Sequence, residues 1–172
     1  NKFQINNLCL AGGVALNCVA NGKILNQNIF DDIWVQPASG DAGGALGAAL
    51  SYWYITLNRE RIIQSNYMKG SYLGPNFNND TIEKILISRD INYENINDDE
   101  LLSLTAKELS MGKTIGWFQG KMEYGPRSLG SRSILADPRD QGMQKKLNLQ
   151  IKFRESFRPF APAVIYEKVG EF

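Results

Sequence analysis

Asn7-Leu8-Cys9-Leu10-Ala11-Gly12-Gly13-Val14-Ala15-Leu16-Asn17 runs a short apolar stretch into a glycine pair and then into a helix-compatible segment. Residues 7–11 (NLCLA) read as a buried strand. Gly12-Gly13 turns the chain into a helix over Val14–Leu25, with Ala15, Val19 and Leu25 apolar among polar positions. The same order then recurs. Ile33-Trp34-Val35 is a second strand closed by Pro37, residues 39–44 (SGDAGG) form a second glycine turn, and Ala45–Tyr54 follows as a helix. A chain that alternates strand, glycine turn and helix is of the α/β class, and both turns fall at the strand-to-helix edge where ligands commonly bind.

Beyond this segment the composition changes. Asn58–Gln64 is polar and charged, and Gly70–Asn79 is rich in Gly, Pro and Asn, so a domain boundary is expected near residues 60–72. That divides the chain into residues 1–66 and 67–172. In the second part, Thr81–Ser88 reads as a short helix. Asp98 or Asp99 caps a longer one through Gly112, with Leu101, Leu104 and Leu109 on one face. Thr114–Phe118 reads as a strand, Gln119–Ser133 as a long glycine-containing loop, Met143–Ile151 as helical and Ala163–Tyr166 as strand-like.

Composition narrows the class of protein. With 43% hydrophobic and 22% charged residues, the chain is of the soluble globular type. Its longest apolar stretch, around Gly43–Tyr54, is too short to span a bilayer, and no secretory pattern opens it. It begins at Asn1 without a Met and enters a strand almost at once, which suggests a piece of a longer protein. Cys9 and Cys18 lie in no metal-binding spacing and suit free thiols in a reducing cytoplasm. The chain has no histidine, so it cannot by itself form a His-based dyad or a His-liganded metal site.

Charge is unevenly placed. Residues 113–158 carry ten Lys/Arg and four Asp/Glu in a chain whose formal net charge is only +1. Such a segment suits an anionic ligand, though a solvated surface has the same composition. Three motifs give the charge a context. In Ala11-Gly12-Gly13-Val14-Ala15-Leu16-Asn17, glycines before a helix let the backbone approach a phosphate or ribose, and equally suit a tight turn. In Ser39-Gly40-Asp41-Ala42-Gly43-Gly44-Ala45-Leu46-Gly47-Ala48-Ala49, Asp41 reads as a helix N-cap or as a carboxylate facing a metal. The small residues after it favour close helix packing.

The third motif is GWFQGKMEYGPRSLGSRSILADP over residues 116–138, continued by Asn148 and by KFRESFRPFAP over residues 152–162. Arg127, Arg132, Arg154 and Arg158 sit in turns stiffened by Pro126 and Pro159. A guanidinium there can present two parallel N–H groups to a phosphate. Glu123 and Glu155 are placed to orient these arginines. All four guanidiniums are expected to converge on one anion site.

These motifs resemble those of the O-carbamoyltransferase family that includes nodulation-factor and aminoglycoside-antibiotic carbamoyltransferases, and the resemblance covers nearly the whole chain. It implies that residues 1–66 are the C-terminal piece of an actin/sugar-kinase-like ATPase-type domain, the carbamoyl-transfer domain. Residues 67–172 would belong to a YrdC-like, carbamoyladenylate-forming domain. The implied reaction activates carbamoyl phosphate with ATP and passes the carbamoyl group to a hydroxyl on a small-molecule acceptor. Gly12, Gly13 and Asn17 then match a nucleotide-contacting motif, joined by Gly40, Gly43 and Gly44. Asp41 matches a ligand to a divalent metal, with iron the expected ion. Lys121, Arg127, Arg132, Arg154 and Arg158 match the basic residues around carbamoyl phosphate and the ATP phosphates. The family's other metal ligands are histidines, which would have to come from an N-terminal part of the same chain. An unpaired sheet edge in residues 1–60 also invites self-association into a homo-oligomer.

Two other readings remain open from the residues. A noncatalytic nucleotide- or RNA-binding module would use Phe153, Phe157 and Phe160 for stacking beside the basic residues, although Pro159 and Pro162 suggest a rigid loop instead. A sugar-kinase fragment would account for residues 1–54 but not for the arginine-rich motif.

Overall fold

The computed structural model describes residues 5–171. The chain divides into two compact units, one of Asn1–Ile82 with Gln119–Arg132, the other of Glu83–Phe118 with Ser133–Phe172.

In the first unit, β1 (Asn7–Leu10) and β2 (Asp32–Val35) pair in parallel, in a register that runs from Asn7 opposite Asp32 to Leu10 opposite Val35. The pairing extends past both ends: Asp31 N donates to Asn6 O at 2.8 Å and Gln36 N to Leu10 O at 3.0 Å. Parallel neighbours need a crossover, and α1 (Cys18–Leu25) supplies it. The helix expected from Val14 begins later. Gly13–Leu16 forms a single 3-10 turn, and α1 starts only after Asn17, whose side-chain oxygen accepts the Ala20 N–H at 3.1 Å as an N-cap. After β2, α2 (Asp41–Ser51) begins earlier than expected and runs on into a π-helical turn, Tyr52–Thr56. Gly40 is its cap residue and Asp41 its first helical residue, where a carboxylate suits the positive end of the helix dipole. The repeated strand, glycine turn and helix of the first 60 residues are thus present.

α3 (Asn79–Ser88) lies where the pattern places it. The second unit carries α4 (Asp98–Ser110), which is capped by Asn97 and not by Asp98 or Asp99: the Asn97 side-chain oxygen accepts the Glu100 N–H at 3.0 Å. β3 (Ile115–Phe118) and β4 (Arg132–Leu135) make a two-stranded sheet, so the loop expected through Ser133 ends in a strand. α5 (Met143–Lys146) passes into a π-helical turn, Leu147–Ile151, as the helical reading of 143–151 anticipates. The strand expected at Ala163–Tyr166 is absent. Those residues are irregular until a 3-10 turn at Tyr166–Glu171, and among the described residues no strand pairs with them.

The buried hydrophobic residues among those described are Ala15 and Ala38 in the first unit and Met143 and Leu147 in the second. Trp34, Trp53, Ile63 and Phe153 remain exposed, an amount of open apolar surface that marks faces available for packing. Among the described residues no helix is long and apolar enough to cross a membrane.

Candidate functional site

The two glycine turns touch. Gly12 N donates to Ser39 O at 2.6 Å, which joins them at the carboxyl ends of the paired strands. Gly12 has φ 99° and ψ 160°, a conformation essentially reserved for glycine. A Cβ built at Gly12, Gly13, Gly40 or Gly44 would meet nothing within 4 Å, so there is space beside each, although the Gly12 N–H is bonded to Ser39 O and the Gly12 carbonyl accepts the Ala15 N–H. Gly43 differs: a Cβ would lie 2.0 Å from Ala38 O, so the missing side chain is required by packing. Ser39 is buried, and its hydroxyl has no hydrogen-bond partner, at the turn that leads into α2. Asn17 is exposed, and its side-chain oxygen is engaged as the α1 cap.

A loop from far along the sequence reaches these turns. Its own shape comes from Glu123, whose carboxylate accepts the N–H groups of Leu129 at 2.7 Å, Ser131 at 2.8 Å and Arg132 at 3.3 Å. The Arg132 Nε donates to Glu123 Oε2 at 2.9 Å, while Arg132 Nη2 donates to the carbonyls of Glu123 at 3.1 Å and Gly125 at 3.3 Å. Burial pushes the Glu123 carboxyl up, but the Arg132 hydrogen bond and the backbone N–H groups outweigh it and hold the group lowered to about 2. Arg132 therefore acts as a strut inside the loop.

The loop so held packs against both turns. Gly125 has φ 127°, and a Cβ there would lie 2.6 Å from Pro37 O. The Tyr124 hydroxyl donates to Ala42 O in the first turn of α2. Arg127 Nη2 donates to Leu16 O, just past the first glycine turn, at 3.0 Å. From behind, Ser71 Oγ donates to Tyr124 O at 3.0 Å and the Tyr72 hydroxyl to Leu129 O at 2.6 Å. Between the loop and the start of α2 lies an open pocket of about 370 Å³, bordered by Gly40, Asp41, Ala42, Tyr124, Gly125 and Pro126. Lys121 is exposed, and its backbone bridges to Asn76.

The remaining two arginines belong to the second unit. Arg158 Nε donates to Glu155 Oε2 at 2.9 Å. Glu155's own backbone N–H, then the Arg158 charge, lower the Glu155 carboxyl. Arg154 Nε donates to Asn148 Oδ1 at 2.6 Å. Glu123 thus pairs with Arg132 inside the loop, whereas Glu155 and Arg158 form a surface ion pair. Asn148, Ser39 and Tyr124 stand in the motifs read from the sequence, but no spacing rule displays the hydrogen bonds of Asn148 to Ser156 O and Arg158 O, that of Tyr124 to Ala42 O, or the burial of Ser39.

Asp41 is exposed in the first turn of α2. Among the described residues no three His, Cys, Asp or Glu side chains come together to hold a metal ion. Among the described residues Asp41 thus has no such partners with which to hold a metal ion. Space beside Gly12, Gly13, Gly40 and Gly44 leaves room for a ligand at the two turns, while the Ser39 hydroxyl beneath them is buried.

Comparison with known proteins matches both halves of this arrangement. Residues 1–50 match the carbamoyltransferase N-terminus, and residues 106–172 match the carbamoyltransferase C-terminus. An uncharacterised protein of Synechocystis sp. is 55% identical over 99% of this chain and 28% of its own length. Nodulation protein NolO of Bradyrhizobium diazoefficiens is 44% identical over 96% of the chain and 30% of its own length. Nodulation protein U of Azorhizobium caulinodans is 34% identical over 96% of the chain and 27% of its own length. The chain thus spans less than a third of each of these relatives.

Proposed function

We propose, from the premise that this chain belongs to the carbamoyltransferase family, that it forms part of an enzyme that carbamoylates a hydroxyl group. In this reading carbamoyl phosphate and ATP yield carbamoyl adenylate, and the carbamoyl group then passes to a sugar, a nodulation factor or an antibiotic-like acceptor. Balance requires that water and carbamoyl phosphate give carbamate and phosphate, that a carbamate oxygen attack the ATP α-phosphorus with loss of pyrophosphate, and that the acceptor oxygen finally displace AMP and lose its proton. Residues 1–66 are read as the end of an actin/sugar-kinase-like ATPase-type domain and residues 67–172 as YrdC-like, in a cytoplasmic enzyme.

The observation that carries the reading is the seating of the Tyr124–Arg127 loop on both glycine turns. Two anions must meet when carbamate approaches ATP, and fixed cationic groups offset that repulsion and the charge that develops. Gly12, Gly13, Asn17, Gly40 and Gly44 would line the nucleotide, with space beside the glycines to admit it. Arg127, with most of its nitrogens uncommitted, and Lys121 would meet phosphate oxygens from this unit, while Arg132 keeps the loop in shape. Arg154 and Arg158 are read as anion-binding residues within the second unit.

The test is pyrophosphate release by the full-length protein given carbamoyl phosphate and ATP. Release that requires both substrates is expected. Release with ATP alone, or none with both, overturns the reading, and tight RNA binding without release would favour the phosphate-gripping module instead.

A further inference from the structure

Arg154 is held on two sides and open on a third. Its Nε donates to Asn148 Oδ1 at 2.6 Å, and its guanidinium carbon lies 4.9 Å from the centroid of the Phe160 ring. Among the described residues its two terminal nitrogens have no hydrogen-bond or ion-pair partner. The nearest carboxylate in sequence, Glu155, is taken by Arg158 Nε at 2.9 Å.

Asn148 is fully buried, at 0% exposure, and every polar atom of its side chain is engaged. While Oδ1 holds Arg154, Nδ2 donates to Ser156 O at 3.1 Å and to Arg158 O at 2.9 Å. Its backbone carbonyl accepts the Arg154 N–H at 2.9 Å. Gln144 Nε2 adds hydrogen bonds to the carbonyls of Phe157 at 3.2 Å and Arg158 at 3.0 Å. One amide thus ties the backbone of residues 154–158 and aims the arginine within it. Asparagine suits the position because it offers an acceptor and two donors in one short plane. A carboxylate would lack the donors.

We infer that Asn148, with Phe160, is a positioning residue that presents the free Nη1/Nη2 edge of Arg154 to an oxyanion. The inference rests on the proposed carbamoyltransfer for the identity of that anion, a phosphate-bearing substrate. A guanidinium whose Nε is bound and whose face is covered has one edge left, and that edge matches two oxygens of a phosphate. Holding it in advance lowers the ordering cost of binding.

The experiment is a titration of the full chain with inorganic phosphate, followed by the Arg154 Nε–H NMR signal and by calorimetry. A saturable shift of that signal is expected. Arg154→Lys should weaken phosphate binding about tenfold. Asn148→Ala should weaken it comparably, at a temperature where the amide spectrum outside residues 142–162 is unchanged. Phe160→Leu should weaken it severalfold, while Phe160→Tyr, which keeps the ring, should retain it. If Asn148→Ala does not fold, the wild-type Nε signal and the Phe160 pair decide the matter. An unmoved Arg154 signal, or wild-type affinity in folded Asn148→Ala and Phe160→Leu, overturns the inference. A moving signal in a protein that releases no pyrophosphate would keep the receptor and remove the reaction. Pyrophosphate release with an unmoved signal would do the reverse.

Discussion

Glu123 Oε2 and Arg132 Nε lie 2.9 Å apart, with the Glu123 side chain wholly out of solvent and the Arg132 side chain still 34% exposed. The pair closes the base of the loop that carries Tyr124, Gly125 and Arg127. The carboxylate also holds three backbone N–H groups, so its loss would leave several donors without a partner.

The loop should therefore be acid-sensitive. Its carboxyl sits at about 2 in the folded chain, below its ordinary value of 4.5. A depressed carboxyl contributes stability that is complete above the unfolded value and is lost as pH falls from there through the folded value. Exchange of the Leu129 and Ser131 amides should thus become easier, relative to intrinsic rates, as pH falls from 4.5 towards 2. Glu123→Gln should cost about 2–3 kcal/mol at neutral pH, less than a fully buried broken pair because Arg132 keeps some contact with water. It should also flatten the acid response. Urea midpoints and amide exchange at both pH extremes check this, and identical behaviour of variant and wild type would count against the strut.

Adjacent glycines in α2 should respond in opposite directions. A Cβ at Gly43 would sit 2.0 Å from Ala38 O, whereas one at Gly44 meets nothing within 4 Å. Gly43→Ala should destabilise by about 1–3 kcal/mol or more, since backbone must move to admit the methyl group. Gly44→Ala should stabilise by about 0.5–1 kcal/mol through the lower flexibility of the unfolded chain and better helix propensity. Paired thermal melts decide it. A stabilised Gly43→Ala would show that Ala38 is not where the structure has it.

The repeated strand, glycine turn and helix were legible because apolar runs, glycines and helix-forming residues follow one another locally. Helix starts were legible only to within a few residues. Asn97 and the flanking aspartates compete as caps on equal chemical terms, and Gly13–Leu16 takes a 3-10 turn that the helical periodicity at Ala15 and Val19 does not distinguish. β4 was hidden because Arg132-Ser133 reads as loop until its sheet partner is known. Ala163–Tyr166 failed as a strand for the converse reason, since apolar residues without a neighbouring strand have no ladder to join. The arginine motif was visible as composition, but the Tyr124 contact with Ala42 joins residues 82 positions apart, beyond any local pattern.

Arg127 and Arg132 should separate cleanly when each is changed to lysine. Arg132 uses Nε on Glu123 and Nη2 on two carbonyls, a fork that one ammonium cannot reproduce. Arg132→Lys should therefore lower stability by about 1–3 kcal/mol through the underpaired Glu123 carboxylate. Where the protein remains folded, it should change the KM for carbamoyl phosphate little. Arg127 spends only Nη2, on Leu16 O, and is otherwise exposed beside the glycine turns. Arg127→Lys should leave stability within about 0.5 kcal/mol, as exposed substitutions do. In the full-length protein it should raise the KM for carbamoyl phosphate about tenfold, by loss of one charged hydrogen bond at the ligand. Thermal melts and pyrophosphate-release kinetics on both variants test the division. A stable Arg132→Lys with a raised KM, beside an Arg127→Lys with unchanged kinetics, would exchange the two roles.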